Sequence, residues 1–115
     1  MRICAIRVLM LALLLLNAAV ASAGSGASYF VVLAAFDAYA GSITFDSAER
    51  IKRVAAGCGV EAWTEYTSKI KGFRPGYFAV ILGPFATRAE AEVQRRRVLP
   101  CVAGAYLKSG VDLGE

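Results

Sequence analysis

Two glutamates, three cysteines and the absence of histidine limit the chemistry that this sequence could perform. With no histidine among 115 residues, a Ser-His-Asp triad, a Cys-His dyad and an imidazole metal site are all excluded. Glu61 and Glu65 lie four residues apart, so on a strand they would share one face, and paired carboxylates can hydrolyse glycosides. A shallow sheet offers no cleft in which one of the pair would become a general acid. We therefore interpret both as exposed carboxylates of a non-enzyme that has no metal and no cofactor.

The first 23 residues have the pattern of a cleavable export signal. Arg2 and Arg7 form a positive start, residues 8–16 are apolar, and residues 21–23 supply the small side chains that a signal peptidase reads. The apolar stretch is shorter than the ~20 residues needed to cross a bilayer. Cys4 precedes that stretch and would leave with the signal. We predict a periplasmic protein that contacts the membrane only if the signal stays uncleaved.

The charge of the mature chain does not favour nucleic acid as a partner. Cleavage after residue 23 removes Arg2 and Arg7 and lowers the net charge from +4 to +2. The mature chain also lacks the basic aromatic pattern of RNA-binding sheets. We therefore expect no nucleic-acid partner.

The mature chain contains two similar halves, each reading as a strand, a helix and a second strand. Asp46 is the predicted N-cap of the first helix, and Thr87 with Glu90 forms a capping box at the second. The predicted segments are 29–36, 47–57 and 58–63 in the first half, and 78–85, 88–99 and 101–107 in the second.

Two βαβ halves predict an α+β protein of the ferredoxin-like split βαβ-βαβ type. Its four-stranded antiparallel sheet would carry both helices on one face. We predict a short linker over 24–28, one domain over 29–108 with a loop at 67–76, and a C-terminal tail over 109–115. The alternation of side chains along strands assigns eight residues to the helix-covered face: Val31, Leu33, Val60, Ala62, Val80, Leu82, Ala105 and Leu107.

The opposite face is predicted to be open and to bind a ligand. Its aromatic side chains would stack on the apolar faces of sugar rings. The candidate residues are Phe30, Val32, Glu61, Trp63, Glu65, Ala79, Ile81 and Tyr106, with Lys108 at the margin and with Lys69, Lys71 and Arg74 as loop contacts. A contiguous apolar patch seldom stays bare in a soluble monomer. Coverage by residues 24–28 or 109–115, or by another protein, is therefore the alternative.

Residues 77–92, which read YFAVILGPFATRAEAE, resemble the SPOR domain, the sporulation-related repeat of bacterial envelope proteins. The similarity lies in a strand, then Gly-Pro-Phe, then a helix start containing Thr-Arg-Ala, and it extends more loosely to residues 29–36. The resemblance covers residues 29–108. It implies binding to peptidoglycan glycan strands stripped of stem peptides, as found at cell-division sites, through the open sheet face.

The chain departs from the family at four positions of that face. Family members commonly carry Gln where this chain has Val32, and a small Gly where it has Ala34. They often carry Arg where Ala79 and Ile81 stand here. Buried polar groups of a ligand lose free energy when they find no partner. These departures motivate the alternative of a protein-interaction module, with a second copy of the chain or an envelope protein as its partner.

Cys58 and Cys101 follow the two predicted helices at equivalent points of the two halves. In an exported domain of this size, two cysteines are normally paired. The pseudo-twofold symmetry of the predicted fold, however, places them at opposite ends of the sandwich, whereas a disulfide needs Cα atoms within ~7 Å. We predict separate thiols and no disulfide. A bridge to another chain, or a different topology, is the alternative.

Overall fold

The computed structural model describes residues 26–114 of the chain. The predicted signal peptide, with Cys4, lies outside the described residues, as do residues 24, 25 and 115. The elements of the described chain are β1 (Ser28–Asp37), α1 (Ser42–Ala56), β2 (Trp63–Tyr66), a 3₁₀ helix (Thr67–Lys69), β3 (Ile70–Lys71), β4 (Tyr77–Phe85), α2 (Arg88–Val98) and β5 (Tyr106–Asp112).

The strands form one antiparallel sheet in the order β2-β4-β1-β5-β3. The protein is α+β as predicted, but the described sheet has five strands rather than four. The additional strand, β3, lies inside the segment that the sequence predicted as a loop. Only the 3₁₀ helix separates β2 from β3, although these two strands form opposite edges of the sheet.

This short connection requires the sheet to curl. Four strand spacings of ~4.8 Å would separate the edges of a flat sheet by ~19 Å. Even a fully extended chain from Tyr66 to Ile70 spans at most ~14 Å. The edges must therefore approach each other, and β3 is carried over the face that faces away from the helices.

The second helix begins as predicted and the first does not. The Thr87 Oγ1 accepts a hydrogen bond from the backbone N–H of Glu90 at 3.2 Å, which confirms the N-cap of α2. Helix α1 starts at Ser42, after Gly41 at φ 72°, so Asp46 lies within the helix and is not its N-cap. The sequence signal was misleading because an acidic residue ahead of an apolar stretch fits an N-cap equally well when the helix has already begun.

Strands β2 and β5 both begin later than the alternation predicted. The residues directly after each helix form turns, and the strands start at Trp63 and Tyr106. Strand β5 continues to Asp112, so Ser109–Asp112 belongs to the sheet and not to a C-terminal tail. The hydrophobic alternation in these turns came from Val60, Ala62 and Ala105, which are buried although they lie outside the strands.

The helix-side core lies between the sheet and both helices. Ala48 and Ala55 of α1 and Ala91 and Val98 of α2 are buried there. Seven of the residues predicted to face the helices are buried in the same cluster, and the eighth, Leu107, is partly buried against it: Val31, Leu33, Val60, Ala62, Val80, Leu82, Ala105 and Leu107. The assignment of residues to this face is confirmed.

The second face carries its own core, which we call the second-face core: Phe30, Val32, Ile70, Ala79 and Ile81. Phe30 and Ile81 are 0% exposed, so the prediction of an open face is wrong. Ile70 of β3 and the ring of Phe73 cover it, with Phe73 packed edge-on against Phe30 at 5.6 Å between ring centroids. Fully burying a side chain as large as that of Phe30 or Ile81 favours folding by ~1.5–3 kcal/mol.

A glycine in β5 allows β3 to approach this closely. A Cβ atom placed on Gly110 would lie 2.8 Å from Cγ2 of Ile70 and 2.9 Å from the backbone oxygen of Lys71. Any larger residue would therefore push β3 away from β5.

Cys58 and Cys101 form a disulfide, with 6.2 Å between their Cα atoms, so the prediction of separate thiols is wrong. Cys58 lies two residues after the end of α1 and Cys101 three residues after the end of α2. The prediction assumed that the two helices follow a strict pseudo-twofold axis. The helices differ in length, at 15 and 11 residues, and their C-terminal ends meet.

Candidate functional site

The structure removes four of the predicted glycan-binding residues from the surface. Phe30, Val32, Ala79 and Ile81 belong to the second-face core, where side chains of β3 and Phe73 cover them. They cannot form a sugar-stacking platform. The alternative of a protein-interaction surface is affected in the same way. Three of its four predicted residues are buried in the second-face core: Phe30, Val32 and Ile81.

Trp63 lies half-buried at the edge of the second-face core. Its indole Nε1 donates a hydrogen bond to the backbone oxygen of Gly83 at 2.7 Å. Gly83 has φ 110°, and a Cβ atom at this position would come within 2.9 Å of the Tyr29 backbone oxygen. Within the described chain, this indole joins β2 to the end of β4.

The two glutamates have separate surroundings. Glu65 lies 4.0 Å from Lys69 and accepts a hydrogen bond from the backbone N–H of Tyr66 at 2.9 Å. Glu61 is exposed in the turn before β2 and lines a depression beside Lys52 and Arg53 of α1. The two carboxylates therefore do not line a common groove.

One groove remains at the second face, beyond the cover that β3 and Phe73 provide. Its volume is about 220 Å³. Polar and aromatic side chains reach it from three directions: from the loop after β3, from the start of β4 and from β5. We call it the tyrosine–cation groove, and it is lined by Val32, Ala35, Thr67, Phe73, Arg74, Tyr77, Ala79, Tyr106 and Lys108.

The aromatic walls of this groove are held by named contacts. The Thr67 hydroxyl accepts from the Tyr77 backbone N–H at 3.1 Å and donates to the Tyr77 backbone oxygen at 3.2 Å, which fixes the start of β4. Phe73 is fixed against Phe30, and the Lys108 Nζ lies 5.5 Å from the centroid of the Phe73 ring. Tyr106 is 52% exposed, so its ring is available to a ligand.

Charge in the groove has one sign. Arg74 and Lys108 line it, and no carboxylate of residues 26–114 does. An aromatic surface beside two cations can stack on a sugar ring and pair with an acidic group at the same time. The groove suits an anionic or partly anionic saccharide.

Of the predicted site residues, Tyr106, Arg74 and Lys108 line this groove, and so do Val32 and Ala79 at its buried base. Lys69 and Lys71 are exposed but lie outside its lining. Phe73 and Tyr77 were not predicted from the sequence. Their signal was present, because these two aromatics flank a turn whose glycines, Gly72 and Gly76, have φ of 102° and 99°.

A second exposed aromatic group lies at the same end of the sheet. Tyr39 and Tyr66 border a depression of about 410 Å³ together with Tyr77, which also lines the tyrosine–cation groove. Phe45 of α1 packs edge-on against Phe78 at 5.1 Å. This end of the molecule therefore presents aromatic rings from β2, β4 and α1.

Comparison of the chain with protein-family models, with curated proteins and with solved structures found no match. Within residues 26–114, no three or more Cys, Asp or Glu side chains are grouped so that they could hold a metal ion. None of the helices in the described part of the chain has the length and apolar character needed to cross a bilayer.

Proposed function

We propose that this chain is a non-catalytic, exported module of the bacterial cell envelope that resembles SPOR domains and binds peptidoglycan glycan strands. The tyrosine–cation groove replaces the open sheet face as the binding surface. This groove is the observation that carries the proposal, because it combines exposed aromatic rings with cations and receives no carboxylate from the described part of the chain.

The ligand chemistry follows from the groove. The rings of Tyr77 and Tyr106 would stack on the C–H faces of sugar rings. Arg74 and Lys108 would pair with carboxylates along the glycan. Removal of stem peptides from peptidoglycan frees the carboxylate of each muramic acid, so denuded strands are the form that these cations favour.

The arrangement of the strands supports the proposal. Without β3, the order β2-β4-β1-β5 is the order expected of a ferredoxin-like split βαβ-βαβ sheet. We interpret β3 as an addition to that fold which closes the second face. The Cys58–Cys101 disulfide favours an oxidising compartment, in agreement with an export signal at 1–23 and a periplasmic location.

The test is sedimentation of the purified protein with amidase-treated sacculi and with untreated sacculi. We expect enrichment with the treated wall, and at least a tenfold loss of binding in Tyr106→Ala and in Arg74→Gln. Tyr39→Ala is the matched aromatic control, because Tyr39 is 87% exposed and lies outside the groove. Equal sedimentation with both walls, or unchanged binding by both groove variants, would remove the proposal.

A second candidate function is a protein-interaction module, and the exposed aromatics outside the groove favour it. Tyr39, Ile43, Phe45 and Tyr66 are all exposed large side chains. Self-association through them would appear as a concentration-dependent sedimentation coefficient that Ile43→Asp abolishes. A monomer at every concentration would exclude a homodimer built on this surface.

A further inference from the structure

A groove of about 490 Å³ lies between α2 and the start of β5. It is distinct from the tyrosine–cation groove, and Tyr106 is the only residue that lines both. We call it the arginine groove, and its lining is Arg88, Glu92, Arg95, Arg96, Ala105, Tyr106 and Leu107.

Three arginines and one glutamate line this groove, and two of the arginines pair with that glutamate. Arg95 donates to Glu92 through Nε at 2.8 Å and through Nη2 at 2.6 Å, and Arg96 donates through Nε at 3.3 Å. The hydrogen bonds from Arg95 lower the pKa of Glu92 to about 2, so its carboxylate is ionised at neutral pH. Arg88 forms no ion pair with any residue of the described chain. The groove therefore keeps an excess of positive charge.

The arginine groove lies beside a strand edge that is partly unpaired. Strand β5 pairs with β1 from Tyr106 to Gly110 on one side. On its other side, β3 pairs only with Val111 and Asp112, and Gly72 continues from β3 to lie against the backbone of Ser109. In the described structure, the residues from Tyr106 to Lys108 thus have one edge without a strand partner. Free backbone N–H and C=O groups along such an edge are a template for another strand.

We propose that the arginine groove binds an extended acidic peptide segment of a partner protein, which adds to the free edge of β5. Its backbone would pair with residues 106–108, and its carboxylates would contact Arg88 and Arg96. Arg88 and Arg96 are eight residues apart, or ~12 Å along the helix axis. An extended peptide covers that distance in about four residues at ~3.4 Å each. The segment should therefore carry acidic residues at positions i and i+4.

A peptide would use both the positive charge of the groove and the unpaired edge of β5, whereas a lipid surface would use only the positive charge. Lipid headgroups supply negative charge, but they have no repeating donors and acceptors to match a strand edge. The arginines that line the groove lie beside β5, whereas Arg97 of the same helix does not line it. A peptide held in the groove would contact Arg88 and Arg96 and not Arg97.

The test is fluorescence anisotropy with a labelled, capped octapeptide of alternating Val and Thr that has Glu at positions 2 and 6. We expect Arg88→Glu and Arg96→Glu each to weaken binding by at least tenfold, and Arg97→Glu to change it by less than twofold. Peptides with Gln in place of both Glu, or with Glu at positions 2 and 3, should bind at least fivefold more weakly. Binding that is equally sensitive to Arg97→Glu would overturn the proposal.

Backbone pairing is tested with proline in the peptide. Neighbouring residues of a strand direct their N–H groups to opposite edges, so Pro at position 4 or Pro at position 5 must remove a hydrogen bond to β5. At least one of these peptides should bind tenfold more weakly, and bound peptide should slow amide exchange within residues 106–108. Full binding by both, or tighter binding to phosphatidylglycerol vesicles with no preference for peptide spacing, would exclude the strand-addition mode.

This inference is independent of glycan binding. Arg74→Gln should leave peptide binding unchanged, because Arg74 lines only the tyrosine–cation groove. Arg88→Glu should leave sedimentation with denuded sacculi unchanged. The two activities can therefore fail separately.

Discussion

Two long helices cover one face of the sheet, whereas a two-residue strand and one loop phenylalanine cover the other. The helix-side core draws on both halves of the chain and is closed by a disulfide between the helix ends. The second-face core depends on Ile70 and Phe73, which come from a single connection between the halves. A few residues with no periodic pattern thus decide whether a whole sheet face reaches solvent.

This difference changes where a ligand can bind. An open face would offer a broad apolar platform with Trp63 on its edge strand, β2. The closed face offers only the groove at its end, where Tyr106, Arg74 and Lys108 meet. Specificity then depends on loop and edge residues and not on the strand residues in which the chain departs from SPOR domains.

The largest expected effect is on the second face itself. Phe30→Ala should lower the free energy of unfolding by ~3–5 kcal/mol, since it removes a fully buried ring and leaves a cavity. Urea denaturation measures the change. Tyr39→Ala, which removes an exposed ring, should cost less than ~0.5 kcal/mol. A similar small cost for both variants would mean that the second face is open.

On the helix side, the disulfide should have the next largest effect. Cys58→Ala with Cys101→Ala should lower the free energy of unfolding by ~2–4 kcal/mol, because the bridge closes a loop with a sequence separation of 43 residues. Titration of the unreduced protein should find neither of these thiols free. Two free thiols per monomer, or no difference between oxidised and reduced protein, would contradict the bridge.

The approach of β3 to β5 is tested by a pair of glycines. Gly110→Ala should cost ~1–3 kcal/mol, because the new methyl group would overlap Ile70 and the Lys71 backbone. Gly104→Ala is the matched control, since a Cβ atom there meets nothing within 4 Å. Equal stability of the two variants in urea would show that β3 does not lie against β5.

The smallest effect is electrostatic and lies on α2. The pKa of Glu92 is about 2 in the folded protein against a usual value of 4.5, so its ion pairs stabilise the fold above pH 4.5 and are lost as the pH falls towards 2. Glu92→Gln should lower the urea midpoint slightly at pH 7 and by less at pH 2, where the Glu92 carboxyl is only partly ionised. Glu61→Gln serves as the control, because Glu61 forms no ion pair with any residue of the described chain. A difference between the urea midpoints of the unchanged protein and Glu92→Gln that is larger at pH 2 than at pH 7 would contradict this pH dependence.

Most of the helix-side core could be predicted from the sequence, because strand alternation and helix periodicity both report on it. Val31, Leu33, Val80 and Leu82 were assigned correctly, as was the cap at Thr87. The same alternation also separated Phe30, Val32 and Ile81 from this set. The alternation could not predict whether the second set is exposed to solvent, because that exposure depends on a segment elsewhere in the chain.

The short strand β3 and the disulfide could not be predicted from the periodicity of the sequence, for physical reasons. A two-residue strand such as Ile70–Lys71 has no periodicity, and its pairing depends on the curl of the sheet and on Gly110. The pairing of Cys58 with Cys101 depends on where the ends of two unequal helices meet, which local sequence does not encode. Phe73 was missed at the groove because it lies in a turn, where aromatic residues have no strand register, and Tyr77 because it is the first residue of β4, directly after that turn.

Closure of the second face is tested most directly by nuclear magnetic resonance of the oxidised protein with a soluble paramagnetic relaxation agent. The account predicts nuclear Overhauser contacts between the rings of Phe30 and Phe73, whose centroids lie 5.6 Å apart, and between the methyl groups of Ile70 and Ile81. It also predicts that the Ile81 methyl groups are protected from the agent. Missing contacts, together with strong relaxation of Ile81, would contradict the closed face and return the strand residues to the candidate binding surface.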